Sequence, residues 1–223
     1  MTIEENLQQI TDSKSPVELV TYTPGAEEVM AYCARVSNPA NQLNFDTSSK
    51  LIKYLIANKH WSPFEMASMT LQFKTSRGIS PQILRHRSFT FQEFSQRYAA
   101  VDASGLVLYA ARRQDSKNRQ NSVDDLTDEI KHEWLERQMA NWKTSFEHYT
   151  WALDNGIAKE CARFVLPLGT STTLYMSGTL RSWIHYIELR TANGTQKEHA
   201  DLAVECKKIF VQLFPDTSKA LNW

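Results

Sequence analysis

The sequence is poor in cysteine, glycine and proline, carries no excess charge of either sign and contains no long apolar run. Each lack removes a class of protein. Cys33, Cys161 and Cys206 are an odd number, widely spaced and without a C-x-x-C pair, which argues against both a disulfide framework and a zinc site. No metal is expected, and a reducing cytoplasm fits best. There is no internal repeat and no long Gly/Ser/Pro linker, although Pro24, Gly25 and Pro39 punctuate the first forty residues. The 25 basic and 25 acidic side chains sum to zero, so long-range attraction to nucleic acid or an anionic membrane is not indicated and any basic site must be local. No apolar run approaches the ~20 residues of a membrane span, and the start, Met1-Thr-Ile-Glu-Glu, is acidic where a secretory leader would be basic and then apolar. A soluble intracellular protein is expected, with residues 1–223 forming one domain that is large enough to bury its own core.

What is present is a mixture of periodicities. Val17 to Thr23 is rich in β-branched and aromatic residues. From Met66 to Thr75, Ala67, Met69, Leu71 and Phe73 alternate with Ser68, Thr70, Gln72 and Lys74, the period of a half-buried strand. Apolar residues recur at three- and four-residue steps in Glu27–Val36, Ser48–Ala57, Thr127–Leu153 and Glu198–Phe214, which predicts helices. Asp124, Asp125 and Thr127 are candidate caps for the long one, and the polar stretch Arg113–Asp124 reads as a loop. Helices outnumber strands without alternating one-for-one. The predicted fold class is therefore α+β, with a mixed or antiparallel sheet and several flanking helices.

The chemistry concentrates in Gln82-Ile-Leu-Arg-His-Arg-Ser-Phe-Thr-Phe-Gln-Glu-Phe-Ser-Gln-Arg-Tyr98. Read as a helix, Ile79–Arg87 puts Gln82 on one face with Arg85 and His86, while Ile79 and Ile83 point to the core. An R-H-R triplet alone suits a solvated helix end. The continuation adds more, because the Ser95 hydroxyl, the Gln96 N–H and the Arg97 guanidinium together form a cradle for a phosphate dianion.

Arg85-His86-Arg87, seven residues and then Ser95 reproduce the R-H-R-x7-S signature of the flavin-dependent thymidylate synthases, and Arg97 follows as usual. The sequence resembles that family also at Ala34-Arg-Val-Ser37, His60-Trp-Ser-Pro-Phe-Glu65, Arg163-Phe-Val-Leu-Pro167 and Arg181 through Arg190, which spans nearly the whole chain. The resemblance implies methylation of dUMP to dTMP, with FAD as cofactor and NADPH and methylenetetrahydrofolate as co-substrates. It also implies a homotetramer whose active sites are shared between subunits. FAD would be held by Ser37, His60, Ser62, Glu65, Arg85, His86, Arg87, Arg181 and His185. The dUMP would be held by Gln82, Glu93, Phe94, Ser95, Gln96, Arg97, Arg163 and Arg190. Within that set Gln82 and Glu93 would take the ribose, Ser95, Gln96 N–H, Arg97 and Arg163 the phosphate, and Arg190 the uracil edge. Arg190 and His60 would be the catalytic residues, with the folate stacked near His60.

On a helix through Leu180–Arg190, Leu180, Trp183, Ile184 and Ile187 form one apolar stripe. Arg181 and His185 fall on one shoulder and Arg190 on the other. The family pattern is broken at three places, with Thr179 and His185 where Asn is common and Gly194 where His is common. Histidine can replace Asn as a donor but adds a pH-dependent charge; Gly194 has only backbone to offer. Ser95 is expected to anchor phosphate without acting as a nucleophile, because His86 between two cations disfavours the imidazolium that a general base must become.

Two other classes remain open at this level. Phe89, Phe91 and Phe94 interleaved with arginines could stack bases in a nucleic-acid binder. Six tryptophans and a long helix could also belong to an assembly protein. The settings Tyr32-Cys33-Ala34, Glu160-Cys161-Ala162 and Glu205-Cys206-Lys207 offer no nucleophilic cysteine and suggest core residues.

Overall fold

The computed structural model describes residues 3–223. In chain order the elements are α1 (Ile3–Asp12), β1 (Val17–Tyr22), α2 (Ala26–Ala34), α3 (Ser48–Ala57), β2 (Ser68–Ser76), α4 (Ser80–Ile83), β3 (Thr90–Glu93), β4 (Arg113–Gln114), β5 (Ser122–Val123), α5 (Asp128–Asp154), α6 (Lys159–Ala162), β6 (Ser171–Thr179), α7 (Leu180–Thr191), α8 (Lys197–Leu213) and α9 (Pro215–Ala220). The main sheet has the order β1-β2-β6-β3, and every pairing in it is antiparallel. This is the predicted α+β class, with the mixed-or-antiparallel alternative resolved as antiparallel.

The centre of the sheet is the β2–β6 ladder, in register from Ser68 opposite Thr179 to Ser76 opposite Ser171. The expected alternation holds on the apolar side, where Ala67, Met69, Leu71 and Phe73 are buried and face one core with Leu174 and Met176 of β6; on the other side Ser68 is exposed and Thr70 and Lys74 are half-buried, but Gln72 is buried as well. The stripe of α7 closes that core, with Leu180, Trp183, Ile184 and Ile187 all buried. Trp183 stacks on Phe73 at 6.4 Å between centroids. Residues Met30, Ile52, Leu202, Cys206, Phe210 and Phe214, from α2, α3, α8 and its end, complete the core. A smaller cluster under α5 joins Trp142, Tyr149 and Ala152 to Val101 and Ala162.

Several expectations are corrected. The helix read over Ile79–Arg87 stops at Ile83, because β3 begins at Thr90 and Phe89 must first turn inward to its buried place. The R-H-R triplet therefore lies in a turn, where His86 N–H donates to Ile83 O and Phe89 N–H to His86 O, each at 3.2 Å. The Arg113–Asp124 loop contains the β4–β5 ribbon. Thr127 is the N-cap residue of α5, but without a side-chain cap bond; Asp124 and Asp125 pair instead with Lys131 and Arg113. Of the cysteines only Cys206 is a core residue, while Cys33 is intermediate and Cys161 exposed.

Candidate active site

β6 runs directly into α7. Thr179 is the last residue of the strand and the N-cap of the helix, and its Oγ1 accepts from Ser182 N–H at 3.4 Å. Threonine and asparagine both cap well, so the first departure from the family pattern keeps its structural job. The third departure is also accounted for, since Gly194 has φ +91° with nothing within 4 Å of where a Cβ would stand, a backbone region that glycine enters freely.

The R-H-R turn is pinned by Phe89. Its ring lies 4.9 Å from that of Trp183, 6.0 Å from Tyr186 and 6.4 Å from His86. Gly178 on β6 makes room for it, for a Cβ there would sit 2.4 Å from the Phe89 ring. Arg85 and Arg87 are thereby left exposed at the surface of the turn, with no side-chain partner among the described residues. His86 turns inward and accepts a hydrogen bond at Nε2 from Arg190 Nε at 2.9 Å. Burial, then the charge of Arg190, then that of His185 lower its pKa to about 4. The expectation of a disfavoured imidazolium is met in direction, but the cation responsible comes from α7 and not from the neighbouring arginines.

The two shoulders of α7 lead to different places. On one, Arg181 pairs with Glu65 at 2.5 Å, and a cleft of about 550 Å³ is lined by Trp61, Glu65, Ser88, Arg181, His185 and Glu188. Next to it, across the short 3-10 helix Ser62–Glu65, His60 and Ser62 line a second cleft with Cys33, Ala34 and Val36. Ser37 follows Val36 and is exposed. On the other shoulder Arg190 meets His86. The residues expected around FAD thus fall into three neighbouring positions instead of one enclosed pocket.

The residues expected around dUMP divide as well. Gln96 and Arg163 line one cleft with Arg77, Phe164 and Thr170. The Arg163 guanidinium sits 5.5 Å from the Phe164 ring centre. Gln96 is buried, and its Nε2 has no hydrogen-bond partner among the described residues, a donor that an acceptor bound in this cleft would satisfy. Ser95 is exposed, with no side-chain partner among the described residues, and Phe94 is partly exposed, its N–H donating to Thr173 O at 2.9 Å. Arg97 pairs with Glu160 at 3.1 Å on the surface, a bond weak enough to exchange.

Glu93 is fixed: its Oε1 accepts from Arg77 at 2.7 Å, Ser80 Oγ at 2.7 Å and Thr172 Oγ1 at 2.9 Å. Gln82 Nε2 donates to Gln196 Oε1 at 2.6 Å, Gln196 Nε2 donates to Glu198 at 2.9 Å, and Glu198 pairs with Arg112 at 2.6 Å. Sequence reasoning missed Arg77, Ser80, Thr172 and Arg112. None lies in a dense motif, and their placement follows from sheet register and from a chain crossing that no local pattern signals.

Among the described residues no helix is long and apolar enough to cross a membrane. A family model described as thymidylate synthase complementing protein matches residues 18–216. The chain is similar to a probable flavin-dependent thymidylate synthase of Paramecium bursaria Chlorella virus 1, at 61% identity over 89% of this chain and 91% of the relative. It is also similar to a flavin-dependent thymidylate synthase of Synechocystis sp., at 53% identity over 88% and 90%. Among solved structures it resembles the UMP/dUMP methylase PolB of Streptomyces cacaoi bound with 5-Br dUMP, with a TM-score of 0.81 and 30% identity over 92% of this chain and 93% of that one. With a match along so much of its length, the chain belongs to the flavin-dependent thymidylate synthase family.

Proposed function

We propose that the protein converts dUMP to dTMP with methylenetetrahydrofolate as carbon donor and FAD, recharged by NADPH, as hydride donor, and that no enzyme nucleophile takes part. The observation that carries this reading is the inward His86 held by Arg190 beside two unpartnered arginines, in a chain of this family. A flavin supplies hydride chemistry when bound. The chain's residues fit such a group: Arg85 and Arg87 are free cations for a diphosphate, and the cleft of Glu65, Arg181 and His185 offers both donors and acceptors. Ser37, His60 and Ser62, at and beside the neighbouring cleft, are assigned to the same cofactor, and the folate is assigned to His60.

For the nucleotide, Ser95, Gln96, Arg97 and Arg163 bind the phosphate. Here the unpartnered Nε2 of Gln96 adds a side-chain donor to the backbone N–H expected from the sequence. Gln82 and Glu93 take the ribose, and Phe94 packs alongside. Arg190 donates its Nε–H to His86, so its terminal nitrogens are left to polarise the uracil edge. Ser95 has no base, because the neutral nitrogen of the nearest histidine in sequence is already occupied by Arg190. We further propose a homotetramer that brings the separate clefts together across subunits and covers Tyr98, Phe164 and Leu168, which are 88%, 81% and 74% exposed. The free cysteines suit a reducing cytoplasm.

The test is purification followed by absorption spectroscopy and light scattering. A yellow tetramer that forms dTMP only when dUMP, methylenetetrahydrofolate and NADPH are all present is expected. A colourless protein that refuses added FAD would end the proposal.

A further inference from the structure

Behind His86 lies a buried polar pair that the roles above do not use. Tyr186 of α7 and His199 in the first turn of α8 are both fully buried, and Tyr186 Oη and His199 Nε2 are 3.1 Å apart. Tyr186 packs edge-to-face against His86, with centroids 4.8 Å apart and planes at 80°, and His199 lies 6.3 Å from His86 at 87°. Three rings thus form a cluster whose outer member holds Arg190.

The pair is a poor choice for stability alone. His199 Nδ1 is buried without a partner among the described residues, and a buried polar group left unsatisfied costs its full desolvation, whereas an apolar pair of similar volume would cost nothing of the kind. The tautomer follows from counting orphans. If Tyr186 O–H donates to Nε2, only the Nδ1–H is left over; if Nε2–H donates, both the tyrosine proton and Nδ1 are left over. The first arrangement fixes the Tyr186 hydroxyl in direction, and with it the ring plane on which His86 rests.

Resting on the function assigned above, we propose that Tyr186 and His199 are positioning residues that hold His86 edge-on, so that its Nε2 keeps Arg190 aimed at the pyrimidine. Neither touches substrate. Their action passes through one ring contact and one hydrogen bond.

The experiment compares the wild type with His199→Leu, His199→Gln and the double variant Tyr186→Phe/His199→Leu. In the ligand-free protein, the Arg190 Nε–H resonance is followed by ¹⁵N NMR, assigned by its loss in Arg190→Lys, alongside thermal melting. Steady-state kinetics for dUMP are measured in parallel. In the double variant, which keeps the ring but removes the orphan, we expect an unchanged or higher melting temperature, a solvent-exchanging Arg190 Nε–H, and a kcat lowered by about tenfold to a hundredfold, a range usual for displaced positioning groups. His199→Gln, which keeps an acceptor for Tyr186, should recover the protected resonance and most of kcat. An unchanged resonance with unchanged kcat in the double variant overturns the proposal. If the leucine variants prove unstable, failure of His199→Gln to retain the resonance while folding normally overturns it equally. Because the NMR signal is read without cofactor or substrate, a wild type that makes no dTMP would refute the functional reading without deciding this one.

Discussion

Replacing Gly178 by alanine probes how the R-H-R turn is held. The backbone accepts the change, since Gly178 is not among the glycines with positive φ. On that ground alone alanine would stabilise by about 0.4–1 kcal/mol through the unfolded chain. Against it, the new Cβ would lie 2.4 Å and 2.7 Å from two carbons of the Phe89 ring, where about 3.5–4.0 Å is wanted. That ring cannot slide away easily, being wedged against Trp183 at 4.9 Å and Tyr186 at 6.0 Å. Overpacking of this sort costs about 1–3 kcal/mol, and an overlap above 1 Å against a confined ring belongs at the upper end. The clash wins, with a net loss of about 1–2.5 kcal/mol, or roughly 2–10 °C in Tm for a chain of this size. Phe89→Leu in the same chain should recover part of the Gly178→Ala loss. Thermal melting followed by near-UV circular dichroism measures both variants, and flavin retention should drop in the single one as the turn moves. A Gly178→Ala protein that melts at or above the wild type would refute the packing argument.

Acid should weaken the fold in a defined window. Burial first, and the charge of Arg190 next, lower His86 to about 4 and His199 to about 3 from an ordinary 6.5. The unfolded chain takes up these protons below about 6.5 and the folded chain does not, so stability is full above that pH and falls as the pH drops toward 4; urea midpoints should show a shallower slope in His199→Leu. Ser95→Ala should weaken dUMP binding by about 1.5–3 kcal/mol with turnover retained at saturation, and normal binding with no turnover would contradict anchoring. Arg87→Ala and His86→Ala should each lose bound flavin in the absorption spectrum, while a fully yellow Arg87→Ala would remove that residue from the site.

Legibility followed the range of the signal. The strand at Ser68–Ser76 and the helix at Ser48–Ala57 carry their own periodicity and were readable within one residue or two. β6 also alternates, with Thr172, Leu174 and Met176 inward, but its serines, threonines and glycine diluted the pattern. The break after Ile83 was not legible, because Phe89 is drawn inward by Gly178, 89 positions away in sequence. The site showed the same division. Arg85, His86 and Ser95 stood out as a motif, and the opposed shoulders of α7 followed from helical geometry. The partners Arg77 and Arg112 became visible only when register and crossing were known.

Three donors on one oxygen of Glu93 make its two carboxylate oxygens unequal. A free glutamate samples many rotamers and gives up as much as ~1.5–2 kcal/mol of that freedom when a ligand immobilises it. Here the freedom is surrendered while the sheet assembles, and Oε2 is left as a single acceptor with a set direction. A sugar hydroxyl assigned to it would meet a receptor already still, and loosening the clamp by Thr172→Val should therefore appear as a less favourable entropy of nucleotide binding in calorimetry, with little change in heat.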